Sequence, residues 1–121
     1  MKCILIVEDE PLIALDLRYA CEDAGIGSVV AGSCRQALAE LDAHDGIDGA
    51  VLDVNLGHGQ TCEAVANALR ARRVPFVLNT GDLDRAGEFL RGMNAPILSK
   101  PTAADAVVER LIAHGQSLRG H

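Results

Sequence analysis

Basic residues are sparse in this sequence: 11 lysines and arginines stand against 17 aspartates and glutamates, a formal net charge of -6. Their longest run is Arg70-Ala71-Arg72-Arg73. Such a balance repels phosphate and excludes nucleic acid binding through phosphate neutralisation, and the short run reads as a helix C-terminus answering its own dipole. Cys3, Cys21, Cys34 and Cys62 show no C-x-x-C spacing. They fall on otherwise apolar faces and read as reduced, buried thiols. His44, His58, His114 and His121 are scattered singly, without the spacing of zinc ligands. No secretory leader is visible, because Glu8, Asp9 and Glu10 break the first apolar run, and no apolar stretch approaches a membrane span. A soluble, cytoplasmic chain without membrane contact is expected. Repeats, low-complexity tracts and linkers are also lacking. At 121 residues and 49% hydrophobic, the chain suits one core. Residues 1–121 are therefore expected to form a single domain, with 115–121 a frayed tail. Met1 at the first strand, and no residues left for an output domain, suggest a natural single-domain protein.

What is present is a set of short apolar runs, each ending in polar residues. The central one is Ala50-Val51-Leu52-Asp53-Val54, which reads as a buried strand delivering a lone carboxylate to its tip. Cys3 to Val7 ends in Glu8-Asp9-Glu10, Phe76 to Leu78 in Asn79-Thr80-Gly81, and Pro96 to Leu98 in Ser99-Lys100-Pro101. Ser28 to Ala31 makes a further short strand. Helical spacing separates the strands: Ile13, Leu17, Ala20, Cys21 and Ala24 after Pro11, ended by Gly25; then Cys34, Ala37, Leu38 and Leu41 behind a Ser33/Gln36 capping box. Cys62, Val65, Ala66 and Leu69 form a third stripe. Leu83 to Gly92 is the weakest helical segment, with Gly87 inside it. Thr102 and Asp105 are expected to cap a last helix carrying Ala104, Val107, Val108, Leu111 and Ile112. Strand and helix alternate five times and the strands are continuously apolar, so helices should cover both faces of a doubly wound parallel α/β sheet.

In such a sheet ligands bind beyond the carboxyl ends of the strands. Glu8, Asp9 and Asp53 would converge there, and three close carboxylates repel unless a cation or protons relieve them. Magnesium, which prefers oxygen ligands and commonly takes one or two carboxylates plus a phosphate oxygen, matches better than zinc. Lys100 adds a compact positive charge that can pair with Asp53, and Thr80 a hydroxyl. Carboxylate nucleophile, metal, lysine and hydroxyl donor are what phosphoryl transfer to an aspartate requires.

At Glu8-Asp9, Asp53, Thr80 and Lys100-Pro101 the chain resembles the receiver domain of two-component response regulators, along essentially its whole length. The resemblance implies a flavodoxin-like (βα)5 fold with strand order 2-1-3-4-5. It implies that Asp53 is the phosphoacceptor and that Glu8, Asp9, the Asp53 carboxylate and the Asn55 backbone carbonyl hold Mg²⁺. Thr80 and Lys100 would contact the phosphoryl group, with a cis Lys100-Pro101 bond aiming the ammonium. The donor would be a histidine kinase or histidine phosphotransfer protein, and phosphorylation would alter binding of a downstream protein on the face formed by Leu83 to Gly92, the fifth strand and the last helix. The run Val7 to Asp16 looks like a subset of receivers with Phe-Ala-Thr-Gly-x-Tyr after strand four, of which this sequence keeps Thr80-Gly81, with Leu78, Asn79 and Leu83 at the other positions. Receivers usually carry an aromatic three residues before the lysine. Here it is Ile97, and the only tyrosine is Tyr19.

Three rival readings are open. A phosphate sink would use the same chemistry without an output partner. An aspartate-based phosphohydrolase would place a second acid two residues after the nucleophile, where this chain has Asn55. A flavin carrier would need a phosphate-cradling loop after strand one, where Glu8-Asp9-Glu10 repels phosphate.

Overall fold

A computed structural model describes residues 1–54, 63–81 and 95–119. Five parallel strands, β1 (Cys3–Val7), β2 (Gly27–Ala31), β3 (Gly49–Asp53), β4 (Phe76–Thr80) and β5 (Ile97–Ser99), form one sheet in the order β2-β1-β3-β4-β5. The helices among the described residues are α1 (Pro11–Asp23), α2 (Cys34–Ala43), α3 (Glu63–Ala71) and α4 (Ala104–Arg119). The expected doubly wound parallel sheet and its strand order are both present. The weak segment Leu83 to Gly92 lies outside the described residues.

Strand side chains alternate between faces, so a run that is apolar at every position must be covered twice. Leu5, Val7, Leu52 and Leu78 pack under α2 and α3 with Leu41, Val65 and Leu69. Ile4, Ile6, Val51 and Val77 pack on the other face with Leu17 and Cys21 of α1 and Val107, Val108 and Leu111 of α4. By the same alternation Asp53, two residues after Val51, and Asn79, two after Val77, face the α1/α4 side.

Helix ends follow local chemistry. Pro11 occupies the first turn of α1, and Ser33 Oγ accepts the Gln36 N–H at 3.1 Å to cap α2. Gln36 Oε1 accepts from Gly32 N–H at 2.9 Å, so only half of the expected capping box forms. Three expectations are corrected. Thr102 does not cap α4, because its hydroxyl donates to the Ser99 carbonyl and the helix starts two residues later. The stretch from Gly115 is helical as far as Arg119, where a tail is expected from the sequence, and the missing side chain at Gly115 admits its neighbours, since a Cβ there would lie 2.9 Å from Met1 Cε. Cys34 is not a reduced thiol but disulfide-bonded, a pairing that spacing along the chain could not signal, and Cys62 lies outside the described residues. Cys3 and Cys21 are free, and burial pushes the Cys21 thiol up to about 11.

Candidate functional site

Register brings the strand tips level. Val7 pairs with Leu52, Asp53 with Asn79, and Thr80 with Ser99. Glu8 and Lys100, each one residue beyond a strand, therefore stand at the same carboxyl edge as Asp53. The buried polar residues among those described are Glu8, Asp53, Asn79 and Thr80, all at this edge. Burying polar groups is costly, so their concentration at one place marks it chemically.

One oxygen from each of Glu8, Asp9 and Asp53 lies within 4.8 Å of the others. Lys100 relieves part of this crowding: its Nζ is 3.1 Å from Glu8 Oε2 and 3.2 Å from Asp53 Oδ2. Its backbone N–H donates to the Thr80 carbonyl at 2.7 Å, which carries the β4–β5 pairing one residue past the strand and starts the lysine stem beside the tip of β4. The Lys100-Pro101 peptide is cis. Burial, followed by the Asp53 charge, raises the Glu8 carboxyl to about 7, against the opposing pull of Lys100. Burial works to lower Lys100, but its hydrogen bonds and charge contacts with Glu8 and Asp53 outweigh it and leave the ammonium above its ordinary value. Three hard oxygen donors around one point, with a carboxyl kept partly protonated by burial and by its neighbour's charge, suit a divalent hard cation.

The Glu8 shift has a measurable consequence. In the presence of a chelator the native state keeps the Glu8 proton up to about 7, whereas the unfolded chain releases it near 4.5. Between these values the native state binds more protons, so its stability should fall as pH rises through that window. Urea midpoints taken near the bottom and top of the window should show a smaller fall in Glu8→Gln. An unchanged fall would assign the pH dependence to other groups.

Of the expected site residues, Glu8, Asp9, Asp53, Thr80 and Lys100 are brought to one edge, while Asn55 lies outside the described residues. Sequence reasoning treats Asn79 as one more strand-tip group, but its Oδ1 is buried without a hydrogen-bond partner among the described residues. The available signal was an asparagine closing the apolar run Phe76-Val77-Leu78. An orphaned buried acceptor costs stability that an apolar isostere recovers, so Asn79→Leu should stabilise the protein by about 1 kcal/mol. A lower urea midpoint in that variant would mean that the oxygen has a partner in solution.

A family model for the response regulator receiver domain matches residues 4–112. The chain belongs to this family. It is a receiver domain of two-component signalling, and receiver domains generally bind Mg²⁺, for which Glu8, Asp9 and Asp53 are suitably spaced. The phyllosphere-induced regulator PhyR of Methylorubrum extorquens is 30% identical over 96% of this chain, which spans only 45% of that protein. The solution structure of SdrG from Sphingomonas melonis Fr1 is 39% identical with a TM-score of 0.80, covering 96% of this chain and 97% of that one. The solution structure of the BeF3-activated conformation of SdrG, from Pseudomonas melonis Fr1, is 42% identical with a TM-score of 0.71, covering 88% of this chain and 90% of that one. Among the described residues of this receiver, no helix is long and apolar enough to cross a membrane.

Proposed function

We propose that this receiver takes a phosphoryl group from the phosphohistidine of a histidine kinase or histidine phosphotransfer protein onto Asp53, in the cytoplasm, with residues 1–121 acting as one unit. The observation that carries the reading is Lys100, whose ammonium grips one oxygen of Asp53 and one of Glu8 at the carboxyl edge. An Asp53 oxygen attacks phosphorus, the P–N bond to the donor breaks, and the donor imidazole keeps the bonding pair. Lys100 then shifts from the Asp53 carboxylate to an oxygen of the phosphoryl group, and the Thr80 hydroxyl donates to another. Glu8, Asp9, Asp53 and the Asn55 backbone carbonyl would hold Mg²⁺, which when bound neutralises charge on the phosphoryl oxygens.

The donor surface follows from α1. Leu12, Leu15 and Tyr19 are exposed at spacings of three and four, so they share one face of the helix that begins beside Glu8 and Asp9. An apolar stripe next to the acceptor suits the histidine-bearing helix of a donor. The output surface is read at β5 and α4, where Ile97 is exposed.

Ile97 also supports a second reading, because an aliphatic side chain has no polar tip to exchange between buried and exposed hydrogen bonds. Without another reporter the domain would act as a phosphate sink. Incubation with acetyl phosphate, with and without Mg²⁺, followed by intact-mass analysis tests the acceptor chemistry. Absence of a labelled species under any condition would overturn it. Hydrogen exchange with and without beryllofluoride separates the readings: changed protection in β5 and α4 supports a switch, and change confined to the acceptor edge supports the sink.

A further inference from the structure

The opposite end of the sheet from Asp53, where strands begin, carries a cavity of about 610 Å³. Its walls come from the end of α3 (Arg70, Arg72, Arg73), the approach to β3, the start of β4 (Pro75, Phe76) and the end of α4 (Leu118). We propose that this cavity binds a small amphipathic anion: a carboxylate, sulfonate or phosphate joined to an aliphatic or aromatic body. The site is independent of the phosphoryl chemistry at Asp53.

Size and charge both point this way. The volume lies within the range of small-molecule sites, and the lining combines apolar walls with cationic groups, as such sites do. Three of the chain's 11 basic residues line this cavity in a protein whose net charge is -6, and of the three Arg70 and Arg72 have partners of their own. The acidic residue in the lining, Asp48, is turned to the backbone: its carboxylate accepts from the Lys2 and Cys3 N–H groups at 2.8 to 3.0 Å. Arg72 is committed elsewhere, donating to the Leu41 carbonyl at 2.5 Å and to Asp42 Oδ1 at 2.7 Å. Arg73 has no ion pair among the described residues.

The backbone at Arg73 supplies a separate argument. Helices α1 and α3 end in the same way. At α1, Gly25 N–H donates to the Glu22 carbonyl at 2.9 Å and Ile26 N–H to the Cys21 carbonyl at 2.8 Å. At α3, Arg73 N–H donates to the Arg70 carbonyl at 3.1 Å and Val74 N–H to the Leu69 carbonyl at 2.9 Å. This closure requires a left-handed residue, for which glycine is favoured. α1 uses Gly25 at φ 75°, whereas α3 uses Arg73 at φ 58°, a strained conformation for a side chain that size. The helix dipole does not explain the choice, since Arg70 already lies in the last turn of α3 and α1 ends without any basic residue there. What an arginine adds over glycine is a guanidinium at the cavity.

The test pairs two fluorescent probes with the same kind of apolar body. 8-Anilinonaphthalene-1-sulfonate carries the anion and N-phenyl-1-naphthylamine does not. The wild-type chain should bind the sulfonate with a Kd below about 1 mM and the neutral amine at least about tenfold more weakly. Sulfonate-induced amide shifts should cluster at residues 73–76 and 114–118. Arg73→Gly should raise Tm by relieving the backbone while weakening sulfonate binding by about tenfold or more, and Arg73→Asn, which also tolerates the left-handed region, should show the same loss of binding. Opposed changes in stability and affinity distinguish a ligand site from a structural role. Equal sulfonate affinity in the Arg73 variants, equal affinity for the two probes, or shifts centred on the Leu12/Tyr19 stripe would overturn the proposal.

Discussion

Asp53→Asn is expected to take up no phosphoryl group under conditions in which the wild-type chain gains a single one. An amide is a far poorer nucleophile than a carboxylate, and among the described residues no second acid at this edge is placed to substitute. Glu8 is buried with its carboxylate held by the Lys100 ammonium, which leaves it a poor substitute nucleophile. Asp9 is exposed at the start of the acidic loop rather than set into the sheet. The substitution is nearly isosteric and removes one of three crowded carboxylates, so folding should be retained. Intact-mass analysis after acetyl phosphate treatment in Mg²⁺ reads the result. Full labelling of Asp53→Asn would move the acceptor to another residue.

Lys100→Met should destabilise the metal-free protein by about 3 kcal/mol, because removing one partner of a buried pair leaves uncompensated charge. The side chains of Glu8 and Asp53 are each 2% exposed, which removes solvent as a substitute partner. The expected loss sits at the lower end of the usual range because Glu8 already titrates near neutrality and can neutralise itself by taking a proton. Methionine preserves much of the aliphatic stem, so the loss reports the ammonium and not a cavity. Urea unfolding in chelator measures it, and Glu8→Gln in the same background should return part of the stability. A loss below about 1 kcal/mol would place the Lys100 contacts among solvent-screened surface pairs.

Much of the candidate site is legible in the sequence because its chemistry sits at punctuation marks. Each strand is an apolar run that stops at a polar residue, and in a parallel sheet all such stops share one edge. Glu8, Asp53, Thr80 and Lys100 could thus be grouped from their places after β1, β3, β4 and β5. Asn79 was visible but uninterpreted, because an unpartnered oxygen is a property of its surroundings and not of the residue. The expected Thr102 cap failed for a related reason: capping residues can serve several local hydrogen bonds, and here the Ser99 carbonyl took the hydroxyl. Residues 115–121 are expected to fray as a chain terminus, yet the missing Cβ of Gly115 is what lets Met1 pack against α4.

By itself, then, the sequence determined the parallel two-sided sheet, since period-two runs without polar positions have no other way to bury both faces. It also determined which residues would stand at the carboxyl edge, since strand ends are written locally. Tertiary structure alone decided what depends on distances between remote segments: that Lys100 reaches both Glu8 and Asp53, that burial and the Asp53 charge hold Glu8 near neutrality, and that Cys34 is disulfide-bonded. It alone showed the arginine run to border a cavity, because that cavity is walled by the ends of α3 and α4 and the starts of strands, segments far apart in the chain that meet only when the sheet is assembled.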